Sequence, residues 1–448
     1  MKKIDIRISD NRLQAYMTIN SFDGLTLANI IESIQENGII YGILVQEIQR
    51  VFENKIENRE TLIAQGKEPI EGKNGDCTSY IDRNISSHTY KTKGDFGNIP
   101  IYNVRKGQKL LRIKQHIPGV QGITVNGEMI ISKHGKSFNL IRGQNTEFSK
   151  YNPEYLLSKV DGNLAWDGNE INISSDYKII GDVTSHNGNI DFVGNLLIKG
   201  DVASGVEIKT LGNLEIDGNV ENAKITSSGN VTIKGRCYGN RRGIISAKGD
   251  ITVSKVENYT LKSLKGIIIQ NDCFASTLEA FSILAPNASI SEGFLSAFEF
   301  IEVKDFGYKI NELTKILIGN KLYKMRLIKE LDKYIIEFQN SLIDLDERYN
   351  TFLSKKMKTG FIEPEEEFDM FLLTENINDI TAQIEDLLLW QKTLAGKLSS
   401  TKNSKLIVNG TIYPNASLYI NDLRYEKSEI YSNSIFVERH NTIVRFPK

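Results

Sequence analysis

Between residues 194 and 253 the chain alternates apolar and polar positions in short bursts separated by longer returns. In "GNLLIKGD" (Gly194–Asp201), "GNLEIDGN" (Gly212–Asn219) and "GNVTIKGR" (Gly229–Arg236), Leu196/Ile198, Leu214/Ile216 and Val231/Ile233 fall on one side of an extended chain. Leu197, Lys199, Glu215, Asp217, Thr232 and Lys234 fall on the other, and Ile251/Val253 of "GDITVSK" continue the apolar series. Successive leading glycines are 18, 17 and 20 residues apart, whereas the two glycines within each complete copy are six apart, so length variation falls in the return path. One short strand cannot bury its apolar face, but similar strands stacked about 4.8 Å apart can. The pattern therefore predicts a β-solenoid. Its glycines are expected to take positive φ at the corners, with the adjoining Asn or Asp tolerating left-handed backbone or bonding the local chain. Less regular coils are expected at "KGIIIQN", "AFSILAP" and "FIEVKD", with Ile267/Ile269, Phe281/Ile283 and Ile301/Val303 on the inner face.

After Lys309 the period changes. Ile328, Leu331, Ile335, Phe338, Leu342, Leu345, Tyr349 and Phe352 step by three and four residues. So do Met370, Leu373, Ile377, Ile380, Ile384, Leu387, Leu394 and Leu398, with Gln391 at one apolar position. These are heptad seams. Gly360 and Pro364 separate them, which predicts an antiparallel helical hairpin. A helix of about 45 residues would reach about 65 Å, beyond a compact domain, so the hairpin is expected to project as an arm; lying flat on the solenoid is the alternative. "LIVNG", with Leu406 and Val408, looks like a returning coil, making the hairpin an insertion.

The N-terminal segment has strand patterns near residues 3 to 19 and at "TLIAQG". It also has a helix capped by Thr26, with Leu27, Ile30, Ile31 and Ile34 on one face, and a second helix carrying Leu44, Ile48, Val51 and Phe52. The expected organisation is a small α/β domain (1–95), a β-rich connecting region (96–165), the solenoid (166–308), the hairpin (309–400), and a returning coil with C-terminal strands (401–448). The fold class is mixed and mainly β.

Composition narrows the function. A formal charge of -1 over 448 residues gives no basic field for nucleic acid and no polybasic approach to a membrane. The alternating start reads as a strand rather than a signal peptide, and no run of about 18 apolar residues predicts a membrane span. Cys77, Cys237 and Cys273 are odd in number and lack CxxC spacing, the usage of reduced thiols in a cytoplasmic protein. The loop "GKEPIEGKN" (Gly66–Asn74) departs from a P-loop in its glycine spacing and in having Asn after Lys. Gly119-Val120-Gln121-Gly122 matches a GxxG, and reads as a turn. His88, His116, His134, His186 and His440 are scattered, and "EPEEEF" (Glu363–Phe368) reads as a helix start complementing the dipole. No catalytic, cofactor-binding or metal-ligating residue is assigned.

Taken together, "LIAQGKEPIEGKNGD", "IPGVQGITVNGEMIISKHGKSFNL" and the solenoid interrupted by a heptad hairpin resemble the bacterial flagellar assembly protein A family over nearly the whole chain. The resemblance implies a non-enzymatic protein with a right-handed solenoid, related in style to the C-terminal domain of the septum-site inhibitor MinC, and a role in flagellar assembly or its regulation. "RIKQHIPGVQG" departs from the more usual Pro-rich approach to that glycine turn. A protein partner is expected at the hairpin or the N-terminal domain, and self-association stays open. Two other classes compete: a bactofilin-like polymer, which needs open solenoid ends, and a β-helical carbohydrate-active enzyme or left-handed acyltransferase. The acyltransferase needs a six-residue repeat on every face, and here six recurs on one.

Overall fold

The computed structural model describes residues 3–81, 101–167, 169–307, 314–319, 321–398, 404–414, 416–425 and 429–448. The chain forms two compact units interleaved in sequence, residues 1–81 with 111–140, and 82–110 with 141–448.

In the first unit, β1 (Ile4–Ile8), β2 (Gln14–Ile19) and β3 (Thr61–Gln65) form an antiparallel sheet in that order. Helices α1 (Leu27–Glu36) and α2 (Val45–Glu53) pack on it through Ile30, Ile34, Ile48 and Val51 against Met17, Ile19 and Ile63. Thr26 caps α1 as expected, its hydroxyl accepting the Asn29 N–H while Asn29 Oδ1 accepts the Thr26 N–H. Ile31, expected on the buried face, is exposed, because the packed stripe is the narrower Ile30/Ile34 one.

The rest of this unit is a glycine-rich ribbon. Lys67, Ile70 and Lys73 exchange reciprocal backbone hydrogen bonds of 2.8–3.0 Å with Ile123, Val120 and Ile117, so the contacts recur every third residue. A pleated ladder has a period of two; three is the period of a polyproline II winding. The Gly72 and Gly75 N–H groups donate to the carbonyls of Lys133 and Lys136, bringing in a third segment. A Cβ on Gly72 would lie 2.5 Å from the Ile117 carbonyl oxygen, and one on Gly135 2.0 Å from that of Lys73. The glycines of the P-loop-like segment thus face neighbouring backbone.

The second unit is dominated by the solenoid, of about seven coils. Parallel pairing stacks Tyr177/Ile179, Leu196/Ile198, Leu214/Ile216, Val231/Ile233, Ile251/Val253 and Ile267/Ile269 in one column. Ile283 follows Ile267, and all these inner positions are buried. Leu197 and Ile268 apart, the outward position between each of these inner pairs is polar, and charges pair along the stack: Lys199 with Asp217 at 2.6 Å, and Lys234 with Asp217 and Glu215 at 2.8 and 2.6 Å. Those two lysines, Lys199 foremost, hold the Asp217 carboxyl below the usual carboxylate range.

The repeated glycines serve a different purpose from the one expected. None of Gly194, Gly200, Gly212, Gly218, Gly229, Gly235 or Gly249 has positive φ. A Cβ on Gly212 would instead lie 2.4 Å from Asn195 Oδ1 and 2.6 Å from the Gly194 carbonyl, and Gly229 and Gly249 meet Asn213 and Asn230 in the same way. The paired Asn and Asp explain why. Asn195 Oδ1 accepts the Asn213 N–H, Asn213 Oδ1 that of Asn230, Asn230 Oδ1 that of Asp250, and Asp250 Oδ1 that of Gly266. A second ladder runs from Asp182 through Asp201 and Asn219 to the Arg236 N–H. Gly-Asn is therefore a coil-to-coil clamp: the side chain satisfies the next coil's corner amide, and the glycine gives it room.

The wide step from Gly229 to Gly249 also has a cause. Pairing skips between Tyr238 and Gly243, where an excursion passes over the buried ring of Tyr259. A Cβ on Gly239 or Gly243 would approach that ring to 2.5 and 2.3 Å. The Tyr259 hydroxyl donates to the Ala223 carbonyl at 2.8 Å and accepts the Ala223 N–H at 3.1 Å.

Cys237 and Cys273 occupy one inner column, each paired in parallel with Val256 between them, and so lie two coils apart as their spacing implies. Burial pushes both thiols up to about 12. All three cysteines are buried and none forms a disulfide. Native protein at pH 8 is expected to resist alkylation at Cys237 and Cys273 for as long as it stays folded, and to react fully in guanidinium. Peptide mass mapping that finds either residue labelled in the native state would refute this placement.

Across the hairpin insertion, Ile301 and Val303 pair in parallel with Leu406 and Val408, so "LIVNG" is the returning coil. The C-terminal end is closed off. Tyr431–Arg439 runs antiparallel on Lys405–Ile412, Phe436 is buried against the last coil, and Thr442–Pro447 pairs antiparallel outside it.

Candidate functional site

The hairpin consists of α3 (Lys321–Thr359) and α4 (Pro364–Leu398), joined at Gly360. Its seam is the one the heptads define, with Leu331, Ile335, Met370, Leu373, Ile384 and Leu394 buried. Gln391, the polar intruder in that seam, is matched, its Nε2 donating to Asp332 Oδ1 at 2.5 Å. At the turn Lys355 and Lys356 pair with Glu366 and Glu367 at 2.6 and 3.1 Å, and these lysines hold both carboxyls below their usual range.

The hairpin does not project. It lies along one corner of the solenoid, held at three places. At its base Leu327, Leu331 and Leu394 pack with Phe298, Phe281 and Leu264, and the Phe281 and Phe298 rings stack 4.9 Å apart. Phe281 was expected inside the coil; Ala280 and Ile283 take the inner positions instead, and Phe281 turns outward to meet the helices. Midway, Lys248 Nζ sits 3.8 Å from the centre of the Tyr334 ring and 5.6 Å from that of Phe338. Burial there pushes the Lys248 ammonium below the usual lysine range. Beyond the turn, Phe368 stacks on Tyr155 at 4.5 Å, and Phe371 on Tyr151 at 5.3 Å. Lys109 bonds Asp369 at 2.5 Å with its ammonium over both the Tyr155 and Phe368 rings, and Lys106 bonds Asp379 at 2.7 Å.

A sequence signal for this docking exists. Leu264, Phe281 and Phe298 recur every 17 residues, one coil apart, at a corner where polar residues would suffice. With the inner face docked, the outer face of the hairpin is left in solvent and carries Ile336, Ile343, Met357, Leu388 and Leu389.

The other sequence candidates do not converge. His116 and His134 belong to the ribbon, His186 to a short turn, and His440 to the last hairpin turn with φ of 51°, while His88 lies outside the described residues. The acidic run opens α4 as expected. Among the described residues no three His, Cys, Asp or Glu side chains group as metal ligands would, and no helix is long and apolar enough to cross a membrane. A small apolar cavity in the last coil, lined by Phe306, Leu406, Leu418 and Phe436 among others, offers no carboxylate, imidazole or amine.

Stacked coils, Asx ladders and an inserted hairpin define a β-solenoid protein with a helical insertion. Family models match it in two parts: the flagellar assembly protein A N-terminal region over residues 4–169, and the flagellar assembly protein A beta solenoid domain over residues 175–443. The chain belongs to the flagellar assembly protein A family. No curated protein and no solved structure matches it individually.

Proposed function

We propose that the protein serves flagellar assembly as a non-enzymatic cytoplasmic scaffold, in which the solenoid is a rigid mount and the docked hairpin presents its outer face to a protein partner. The observation that carries this reading is the hairpin itself, clamped along one side and exposing large apolar side chains along the other. A coiled-coil pair alone has no need of Ile336, Ile343 or Leu389 on its solvent side, and large apolar side chains left in solvent along a docked arm are the contacts a partner would cover. The antiparallel strands over the last coil disfavour the bactofilin-like alternative, because end-to-end stacking needs an unpaired parallel edge there.

The test is the double variant Ile343→Asp/Leu389→Asp. Both sites are exposed, so stability is expected to change by less than about 1 kcal/mol. Cells whose only copy carries the variant are expected to build fewer flagella, and the variant to lose a partner that crosslinks to the parent hairpin. Normal flagellation with the variant folded and present at parental levels would overturn the proposal.

A further inference from the structure

The small net charge conceals one local surface that is both basic and apolar. Reciprocal backbone hydrogen bonds set the side chains of a bonded pair on a common face, and the three-residue recurrence in the ribbon keeps each row on that face. Lys67, Ile70 and Lys73 form one row and Ile123, Val120 and Ile117 the next. Ile123 pairs in turn with Met129, and Ile131 follows two residues on. Five of these apolar side chains stand in solvent: Ile131 is 82% exposed, Met129 71%, Ile70 61%, Ile117 56% and Val120 45%.

The charges around them are uneven. Lys67, Lys73, Lys114, Lys133 and Lys136 are all exposed. Of the nearby acids, Glu128 is held by Arg12 at 2.8 Å, Glu71 faces Lys133 at 3.9 Å, Asp76 lies opposite Lys114 across a strand pair, and Glu68 is exposed beside Lys67. Among the described residues no acidic side chain pairs with Lys67, Lys73, Lys114 or Lys136. Four of the five apolar residues are Ile or Val, Met129 alone being of a type enriched in protein–protein interface cores, and the rows that carry them also carry lysine, in which those cores are depleted. Aliphatic tips among lysines suit a different phase: the tips enter the boundary between headgroups and acyl chains while the ammonium groups meet lipid phosphates.

We propose that this face of the N-terminal unit seats the protein peripherally on an anionic bilayer surface. The full chain is expected to co-float with vesicles of phosphatidylglycerol and phosphatidylcholine, and to bind pure phosphatidylcholine vesicles at least about tenfold more weakly. Met129→Ser/Ile131→Ser and Lys67→Gln/Lys73→Gln are each expected to weaken binding to the mixed vesicles about tenfold, with unchanged thermal melts because all four sites are exposed. Added salt should weaken the parent strongly and the lysine variant less. Absence of flotation with the anionic vesicles would overturn the proposal, as would flotation that neither variant alters. So would variants that change only the sedimentation of the free protein, since that result assigns the face to a second copy of the chain.

Discussion

Ile216→Asp is expected to destabilise the protein by about 4 kcal/mol or more, because it places a carboxylate where water does not reach and no cation can follow. Ile216 is fully buried and sits in the column between Ile198 and Ile233, with Leu214 beside it. The strand cannot turn the charge outward by slipping one residue. Such a slip would bring Glu215 inward as well and detach the Asn213 and Asn219 amides from the Asn195 and Asp201 carboxamide and carboxylate oxygens. Urea denaturation followed by circular dichroism reads the effect, and a midpoint close to the parent's would mean that this column is misassigned. Glu215→Ala, one position along and facing solvent, is the control and is expected to cost little.

Thr314–Ile318 is still a solenoid strand, paired in parallel with Gly293–Ala297 and Ala416–Ile420 and buried at Ile316 and Ile318, so the insertion begins after it and not at Lys309. Replacing residues 320–403 with a short Gly/Ser linker is expected to leave a folded, β-rich protein that is less stable by about 3–5 kcal/mol, because the cut uncovers Leu264, Phe281 and Phe298. The coils flanking the cut remain bonded, Val303 to Val408 in register, so the core itself does not depend on the helices. The exposed aromatic pair is expected to make the shortened chain self-associate, and Phe281→Ser/Phe298→Ser in that chain to restore a monodisperse protein. Calorimetry with size-exclusion chromatography separates the outcomes. Complete unfolding of the shortened chain would make the hairpin part of the core, and an unchanged melting temperature would mean that the docking contributes nothing.

What the sequence disclosed depended on how many uses a residue type has. Alternation such as Leu214/Ile216 has one physical reading in a strand, so the column followed directly. A repeated glycine has at least two, positive φ and close approach, and the spacing of Gly194, Gly212 and Gly229 is the same under both; only the position of Asn195 Oδ1 separates them. The heptads of α3 and α4 fixed their mutual seam but said nothing about their outer faces. Docking is recorded instead in Leu264, Phe281 and Phe298 of the solenoid and in Tyr151 and Tyr155 before it, far in sequence from the helices they meet. Phe281 was misplaced because "AFSILAP" supports alternation in either register, and a corner without glycine leaves no mark between them. The ribbon was hidden by its period, since a three-residue recurrence resembles neither helix nor strand.

The insertion also sets a timetable for synthesis. The strand that carries Ile301 and Val303 leaves the ribosome as a bare parallel edge, and its partner at Leu406 follows about 100 residues later, a delay of about 5–20 s at ordinary elongation rates. The two helices emerge within that interval, and their pairing with each other needs only local contacts. Their binding corner at Leu264, Phe281 and Phe298 has already been made. On this schedule Leu264, Phe281 and Phe298 are covered by the helices before the closing strand arrives.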